Sequence, residues 1–280
     1  KFVTCTRAGE VYEISKDSGR FLLLADGHGK GQLRGLATHP TDPDVYATVG
    51  DDAFVRVWSL SLRRTLEILE EVRSAKTWIS DMKYSKDGAL LAVATSSGQI
   101  YIHDAADHYS LKSTTKKLEE DVSSITSMDF STDREVLQAT TSSKDLLFFH
   151  VSDGRRMTAK SKTKDLAFET QTCPAGWAVQ ATWPQGRPDL EPVSTDRCTP
   201  ALIEGQPQLG ALLAAGYKTG QVEVFRYPCQ NQGARSVSAG GHSTEAGRVR
   251  FNADGTALIS IGSDSRVVLQ HSVRPPLPPV

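Results

Sequence analysis

Short apolar runs separated by polar turn residues recur along the whole chain. The clearest set lies between Gly27 and Trp58, GHGKGQLRGLATHPTDPDVYATVGDDAFVRVW. It predicts an apolar strand over residues 32–38, a turn at Asp42-Pro43-Asp44 and a second strand over 45–49. A tight turn at Gly50-Asp51-Asp52 then leads into an alternating third strand over 54–58. The pattern repeats. First strands end at LATHP (to Pro40), MKYS (Ser85), MDFS (Ser131), QATWP (Pro184) and VRFN (Asn252). Three of them run into charged turns, Lys86-Asp87-Gly88, Thr132-Asp133-Arg134 and Ala253-Asp254-Gly255. The first intervals are about 45 residues, the period of a four-stranded repeat.

One such sheet has little core of its own, so the repeats must stack, and the fold class predicted is all-β, a WD40-type β-propeller. A buried polar chain would fix the register of the best repeat. His28 is expected to bond Asp51 across the sheet, Thr48 to bond His28, and Trp58 to donate its indole N–H to Thr48. These four are read as a structural tetrad. The same residue types resemble a catalytic set, but a tryptophan has no part in a triad. His242, in Gly241-His242, belongs to the same class.

Taken in order, residues 1–27 read as the last three strands of a repeat, and full repeats follow near 28–71, 72–120, 121–165, 166–241 and 242–273. Outer strands are expected near 64–70, 111–118 and 156–164. The fourth repeat is irregular. Its first strand is read as WAVQATWP, residues 177–184, followed by a proline-rich insert over 185–210 without periodic apolar pattern. The 274–280 tail, RPPLPPV, cannot donate to a ladder and reads as a stop or linker. Five full repeats and one partial one fall short of a ring of six or seven, so either the propeller is cropped or residues outside this stretch close the ring. His103 and His150 are both assigned to the position that Trp58 holds.

Composition narrows the function. Lys plus Arg number 32 and Asp plus Glu 33, a net charge of −1, which gives no electrostatic footprint for nucleic acid. No apolar run approaches the roughly 18 residues of a membrane span. Cys5, Cys173, Cys198 and Cys229 include no CxxC pair, so ordinary reduced thiols and no metal or cofactor are expected. His103 and His150 have no spaced partner ligands and read as packing residues rather than a metal site.

With these residues in view, QLRGLATHP and MDFSTDREVLQATT resemble the blade openings of the echinoderm microtubule-associated protein-like family. The irregular repeat carries the most specific likeness. FETQTCPAGWAVQATWPQGRPDL, a cysteine at 198, LLAAGYKTGQVEVFRYPC and the closing GGHSTEAGRVRFNADGTALISIGSDSRVVLQHSV are similar to that family's pattern across essentially the whole chain. One departure is Gln270-His271, where the family usually has an aromatic residue. The resemblance implies the second propeller of a tandem, a non-catalytic scaffold, and tubulin or microtubules as partner, with other microtubule-associated or axonemal proteins. It implies a cytoplasmic, cytoskeletal location or a ciliary axoneme. The rival reading is an adaptor that binds a peptide or protein without touching tubulin.

Candidate partner contacts follow from charge and exposure. Lys160, Lys162 and Lys164, placed on an outer strand, would share one face at period two, with Arg155 and Arg156 beside them. Lysines on an outer strand also discourage edge pairing. Lys112, Lys116 and Lys117 on the neighbouring outer strand would extend the patch. Asp51, Asp52, Lys76, Thr77 and Trp78 are expected at one face, with Trp78 either a partner anchor or a core residue.

Overall fold

The computed structural model describes residues 1–6, 10–25, 27–29, 33–70, 77–118, 124–199, 210–265 and 267–273. Their contacts divide into two compact units, 1–158 and 159–280. The regular secondary structure of the described residues is almost entirely strand, in antiparallel sheets with sequential up-and-down order.

The first unit holds four sheets. A three-stranded one contains β1 (Phe2–Cys5), β2 (Val11–Ile14) and β3 (Phe21–Ala25). Three four-stranded ones follow. They comprise β4 (Leu33–Thr38), β5 (Val45–Gly50), β6 (Phe54–Ser59) and β7 (Arg64–Glu70), then β8 (Ile79–Tyr84), β9 (Leu90–Thr95), β10 (Ile100–Asp104) and β11 (Ser110–Thr114). The last contains β12 (Ile125–Phe130), β13 (Val136–Thr141), β14 (Leu146–His150) and a short β15 (Arg156–Met157). The second unit opens with a one-turn helix α1 (Lys160–Thr163) and a 3₁₀ segment, Trp177–Thr182. Its four-stranded sheet contains β16 (Pro192–Cys198), β17 (Leu212–Tyr217), β18 (Gln221–Arg226) and β19 (Ser236–Gly241). β20 (Arg248–Phe251), β21 (Ala257–Ile261) and β22 (Val268–Ser272) make a three-stranded one.

Stacking explains the deep burial of the second strands β9, β13 and β17, which are buried at every position, as strands covered on both faces must be. In β9, Leu91 and Val93 pack with Ala47, Val49, Val55 and Val57 of the preceding sheet. Leu90, Ala92 and Ala94 pack with Ile125, Met128 and Leu137 of the following one. The alternation of one strand thus serves two cores. First strands face first strands: β4 lies against β8, β8 against β12, and, in the second unit, β16 against β20.

Polar rungs cross between those first strands. Lys83 of β8 reaches the fully buried Asp129 of β12 at 2.7 Å, and Gln138 donates to the same carboxylate at 3.1 Å. In the second unit, the N–H groups of Val249 and Phe251 donate to Ser194 Oγ (3.1 Å) and Asp196 Oδ2 (2.8 Å).

The charged turns share one construction. Asp87, Asp133 and Asp254 each accept the N–H two residues on, from Ala89, Glu135 and Thr256, an Asx turn. Asp87 also binds across sheets. Arg134, at φ 61°, forms an ion pair with it from the next sheet's turn. From the preceding sheet His39 donates Nε2–H to the Gly88 carbonyl at 3.1 Å and stacks edge-on against Tyr84.

The fourth repeat departs from expectation. Residues 177–184 contain no strand. The 3₁₀ segment there lays Val179 and Ala181 over Leu213, Ala215, Tyr217 and Phe225. Cys229 pins it, its N–H donating to Ala178 O and its carbonyl accepting from Ala181 N, both at 2.9 Å. The first strand is β16, inside the stretch read as an irregular insert. Its polar residues point to the neighbouring first strand rather than to solvent, so no apolar alternation marks it. The outer strand of the third full repeat, β15, is likewise shorter than expected, ending at Met157. Residues 200–209 of the insert and the 274–280 tail lie outside the described residues.

Gly88 sits at φ 77°, and a Cβ there would overlap the His39 imidazole. Gly88→Ala is expected to cost about 1–3 kcal/mol, lowering Tm by several degrees in a thermal melt. In a double-mutant cycle with His39→Ala the two losses should be coupled rather than additive. Additive losses would show that the His39 contact does not set the requirement for glycine.

Candidate functional site

The tetrad forms in the β4–β7 sheet with one substitution of partner. His28 Nδ1 donates to Asp52 Oδ1 at 2.8 Å, Thr48 Oγ1 lies 2.8 Å from His28 Nε2, and Trp58 Nε1 donates to Thr48 Oγ1 at 2.7 Å. Asp52, not Asp51, is therefore the acidic member. Both aspartates stand in the turn between β5 and β6, and their carboxylates meet different partners, Arg34 for Asp51 and His28 for Asp52. Asp52 turns inward, where Arg56 Nη1 also reaches it at 2.6 Å and the Gly29 and Phe54 N–H groups donate to it. Burial raises the Asp52 pKa, but the hydrogen bonds from His28 and Arg56 outweigh it and hold the carboxyl below the ordinary carboxylate value. Tyr46 stacks on the Trp58 ring at 6.1 Å. With Trp58 and Arg56 in the network, these bonds tie the turn after β5 to β6 and to the residues that precede β4.

The register shows which residue replaces Trp58 in each repeat. Trp58 faces Tyr46, and the matching pairs are His103–Leu91, Phe149–Leu137, Phe225–Leu213 and His271–Leu258. His150 is thus one residue beyond the position expected for it. It is exposed and pairs with Val136, while Phe149 fills the core. His103 is buried and bonds the Tyr109 carbonyl at 2.9 Å. In the last sheet His242 Nε2 meets Ser260 Oγ at 2.9 Å. Burial there, and the nearby His271, push the His242 pKa down.

Asp51 instead builds a surface feature. Its carboxylate binds Arg34 Nε at 2.5 Å, and the Arg34 guanidinium lies 6.0 Å from the centroid of the Trp78 ring. Trp78 is 45% exposed, so it is a surface aromatic and not a core residue. Its backbone pairs with Ser96, and the turn after Ser96 is covered by Leu118 on Gly98. Lys116 and Lys117, both exposed, therefore flank the same end of that sheet; β11 itself ends at Thr114. Arg34 was not legible as a site residue, since an outward-facing arginine on a strand carries no motif. Lys76 lies outside the described residues.

The lysine stripe does not form as a strand. Lys160 and Lys162 lie in α1 and Lys164 caps it, and helical spacing cannot set positions two apart on one face. Arg155 and Arg156 belong to the first unit and the lysines to the second. Arg155 is held by Asp153 at 2.5 Å.

Among the described residues no group of three or more His, Cys, Asp or Glu could hold a metal ion. Cys198 and Cys229 have no activating environment. Burial and then Asp196 push Cys198 up to about 12, and burial pushes Cys229 up to about 11, opposite to a reactive cysteine.

Asp52→Asn is expected to cost about 2–3 kcal/mol, and Asp51→Asn less than about 1 kcal/mol, in urea unfolding at neutral pH. The folded Asp52 pKa is depressed, so its contribution is complete above the unfolded carboxyl pKa of about 3.9 and is lost as pH falls through the folded value. The stability gap between wild type and Asp52→Asn should therefore close below about pH 4. Equal costs at Asp51 and Asp52 would contradict the assignment.

Comparison with known proteins bears on this fold. Residues 61–273 match the family model of the echinoderm microtubule-associated protein second beta-propeller. The chain is 27% identical over 293 residues to the 77 kDa echinoderm microtubule-associated protein of Strongylocentrotus purpuratus, covering 91% of this chain and 41% of that protein. It is 25% identical to the ciliary WD repeat-containing protein ctxp80 of Euplotoides octocarinatus, covering 96% and 44%. Against echinoderm microtubule-associated protein-like 2 of Homo sapiens it is 26% identical, covering 96% and 45%. The chain spans less than half the length of these relatives. The match takes in most of the repeats described above, including the irregular one and its 3₁₀ cover, and the chain belongs to the family of the echinoderm microtubule-associated protein second beta-propeller.

Proposed function

We propose that this chain is a non-catalytic WD-repeat scaffold of the microtubule-associated kind, docking on tubulin or the microtubule lattice. The observation that carries the reading is the match of residues 61–273 to the second propeller of echinoderm microtubule-associated proteins. The relatives named for microtubule association and for cilia support a cytoskeletal location, cytoplasmic or axonemal. The bonded tetrad supports a structural rather than a chemical role for the most reactive-looking residues. Stacked sheets hold surface groups at fixed spacing, which suits a repeating protein lattice. A net charge of −1 supports a protein partner over nucleic acid.

The contact proposed is the Arg34–Trp78 surface with Lys116 and Lys117 beside it. An exposed aromatic under a guanidinium supplies area at low entropic cost, and the lysines suit an acidic lattice. In microtubule co-sedimentation of the full-length protein, Trp78→Ala should weaken binding about fivefold or more. Lys116→Glu with Lys117→Glu should weaken it and flatten its salt dependence. Pelleting unchanged by either variant would place the attachment elsewhere in the protein and favour the adaptor reading.

A further inference from the structure

Adjacent arginines occur at two places in the chain, Arg63-Arg64 and Arg155-Arg156. The second pair is followed by one spacer and then a hydroxyl side chain, Arg155-Arg156-Met157-Thr158. All of this stretch belongs to the first unit. The Arg155 side chain is 81% exposed, and its ion pair with Asp153 lies in the same surface turn. A pair of that kind exchanges readily for another carboxylate. Arg156 is exposed as well. Thr158 is exposed, stands just past the end of β15 and makes no hydrogen bond with a described residue. Ala159 after it is extended, with φ −78° and ψ 97°.

The backbone of this stretch is lightly held. β15 pairs with β14 at two positions, Phe148–Met157 and Phe149–Arg156, whereas β7 pairs with β6 at six. A segment with so few rungs opens locally long before its sheet does. The other arginine pair differs on both counts. Thr65 follows Arg64 without a spacer, and it lies half-buried inside β7 opposite Trp58. Ser161 and Thr163 have no arginine two or three residues ahead, and Thr163 is buried.

We propose that Thr158 is a phosphorylation site for an arginine-directed protein kinase. Such an enzyme takes its acceptor as an extended segment, and its cleft carboxylates pair with guanidiniums ahead of the hydroxyl. Arg155 and Arg156 stand three and two residues ahead of Thr158. Thr158 Oγ1 attacks the γ-phosphorus of ATP, and its proton passes to the catalytic aspartate of the kinase. The bond from that phosphorus to the β–γ bridging oxygen breaks, and ADP leaves. The product carries a charge of about −1.5 to −2 at neutral pH. It stands within residues 155–164, which hold five basic residues and no acidic one. The phosphate would compete with Asp153 for the Arg155 guanidinium. This inference goes beyond the microtubule reading, and its test involves no microtubules.

The probe is the catalytic subunit of cyclic-AMP-dependent protein kinase with ATP, acting on the native full-length protein, with sites located by tandem mass spectrometry. Phosphate is expected on Thr158 and not on Thr65. The initial rate at Thr158 should fall at least about tenfold for Arg155→Ala with Arg156→Ala, in a variant that keeps the wild-type thermal melt. It should fall about threefold for Arg155→Lys with Arg156→Lys, since an ammonium cannot make the bidentate pair. A synthetic peptide spanning residues 152–162 should show the same dependence on the arginines. Labelling of the peptide but not of the native protein would overturn the proposal, because the fold would then withhold the site. So would labelling of neither, or labelling of Thr158 at a rate indifferent to both arginine changes.

Discussion

Where one first strand lies against another, as β8 against β12 and β16 against β20, both sheets face the same constraint at that strand. One side of that strand bonds the second strand, and the other side turns toward a neighbouring sheet with no ladder to meet it. A buried N–H left without a partner costs about 1–3 kcal/mol. At β20 two such groups, on Val249 and Phe251, are met by Ser194 and Asp196 of β16. At β8 and β12 the link is between side chains, with Lys83 and Gln138 converging on Asp129. A charge as deeply buried as Asp129 is tolerable because its partners stay in place. These rungs allow apolar second strands to be covered on both faces. They also place the Asx turns near enough for His39 and Arg134 to join successive sheets through Gly88 and Asp87.

The same constraint explains what could be read from the sequence. Second strands were legible because two-sided burial leaves a continuous apolar run, and third strands because they alternate. The outer strand 64–70 was legible for the same reason. β16 was not. Ser194 and Asp196 resemble a loop, yet they are polar because of the strand they face. WAVQATWP misled in the opposite sense, with apolar residues that cover a sheet instead of joining one. At the turn after β5, residue types alone could not separate Asp51 from Asp52, since either carboxylate is long enough and only the backbone direction decides. His150 was misplaced by one residue because Phe148-Phe149-His150 offers two aromatic candidates for one core position. The lysines at 160, 162 and 164 share a face only on a strand, and the chain turns helical there.

The functional picture depends on the same geometry. The residues that look most reactive, His28, Thr48 and Asp52, are consumed in holding one sheet's register. What the first unit leaves exposed includes the Arg34–Trp78 surface, on which the proposed contact rests.

Amide hydrogen exchange at Val249 and Phe251 tests the central claim most directly. Both N–H groups point away from β21, so only the Ser194 and Asp196 side chains can account for their protection. The account predicts slow exchange in the wild type and fast exchange at these two positions in a Ser194→Ala, Asp196→Ala variant, while the Arg250 amide, facing β21, stays protected. Equal protection in both proteins, or loss of protection along all of β20 at once, would contradict the idea that side-chain rungs satisfy the first strands.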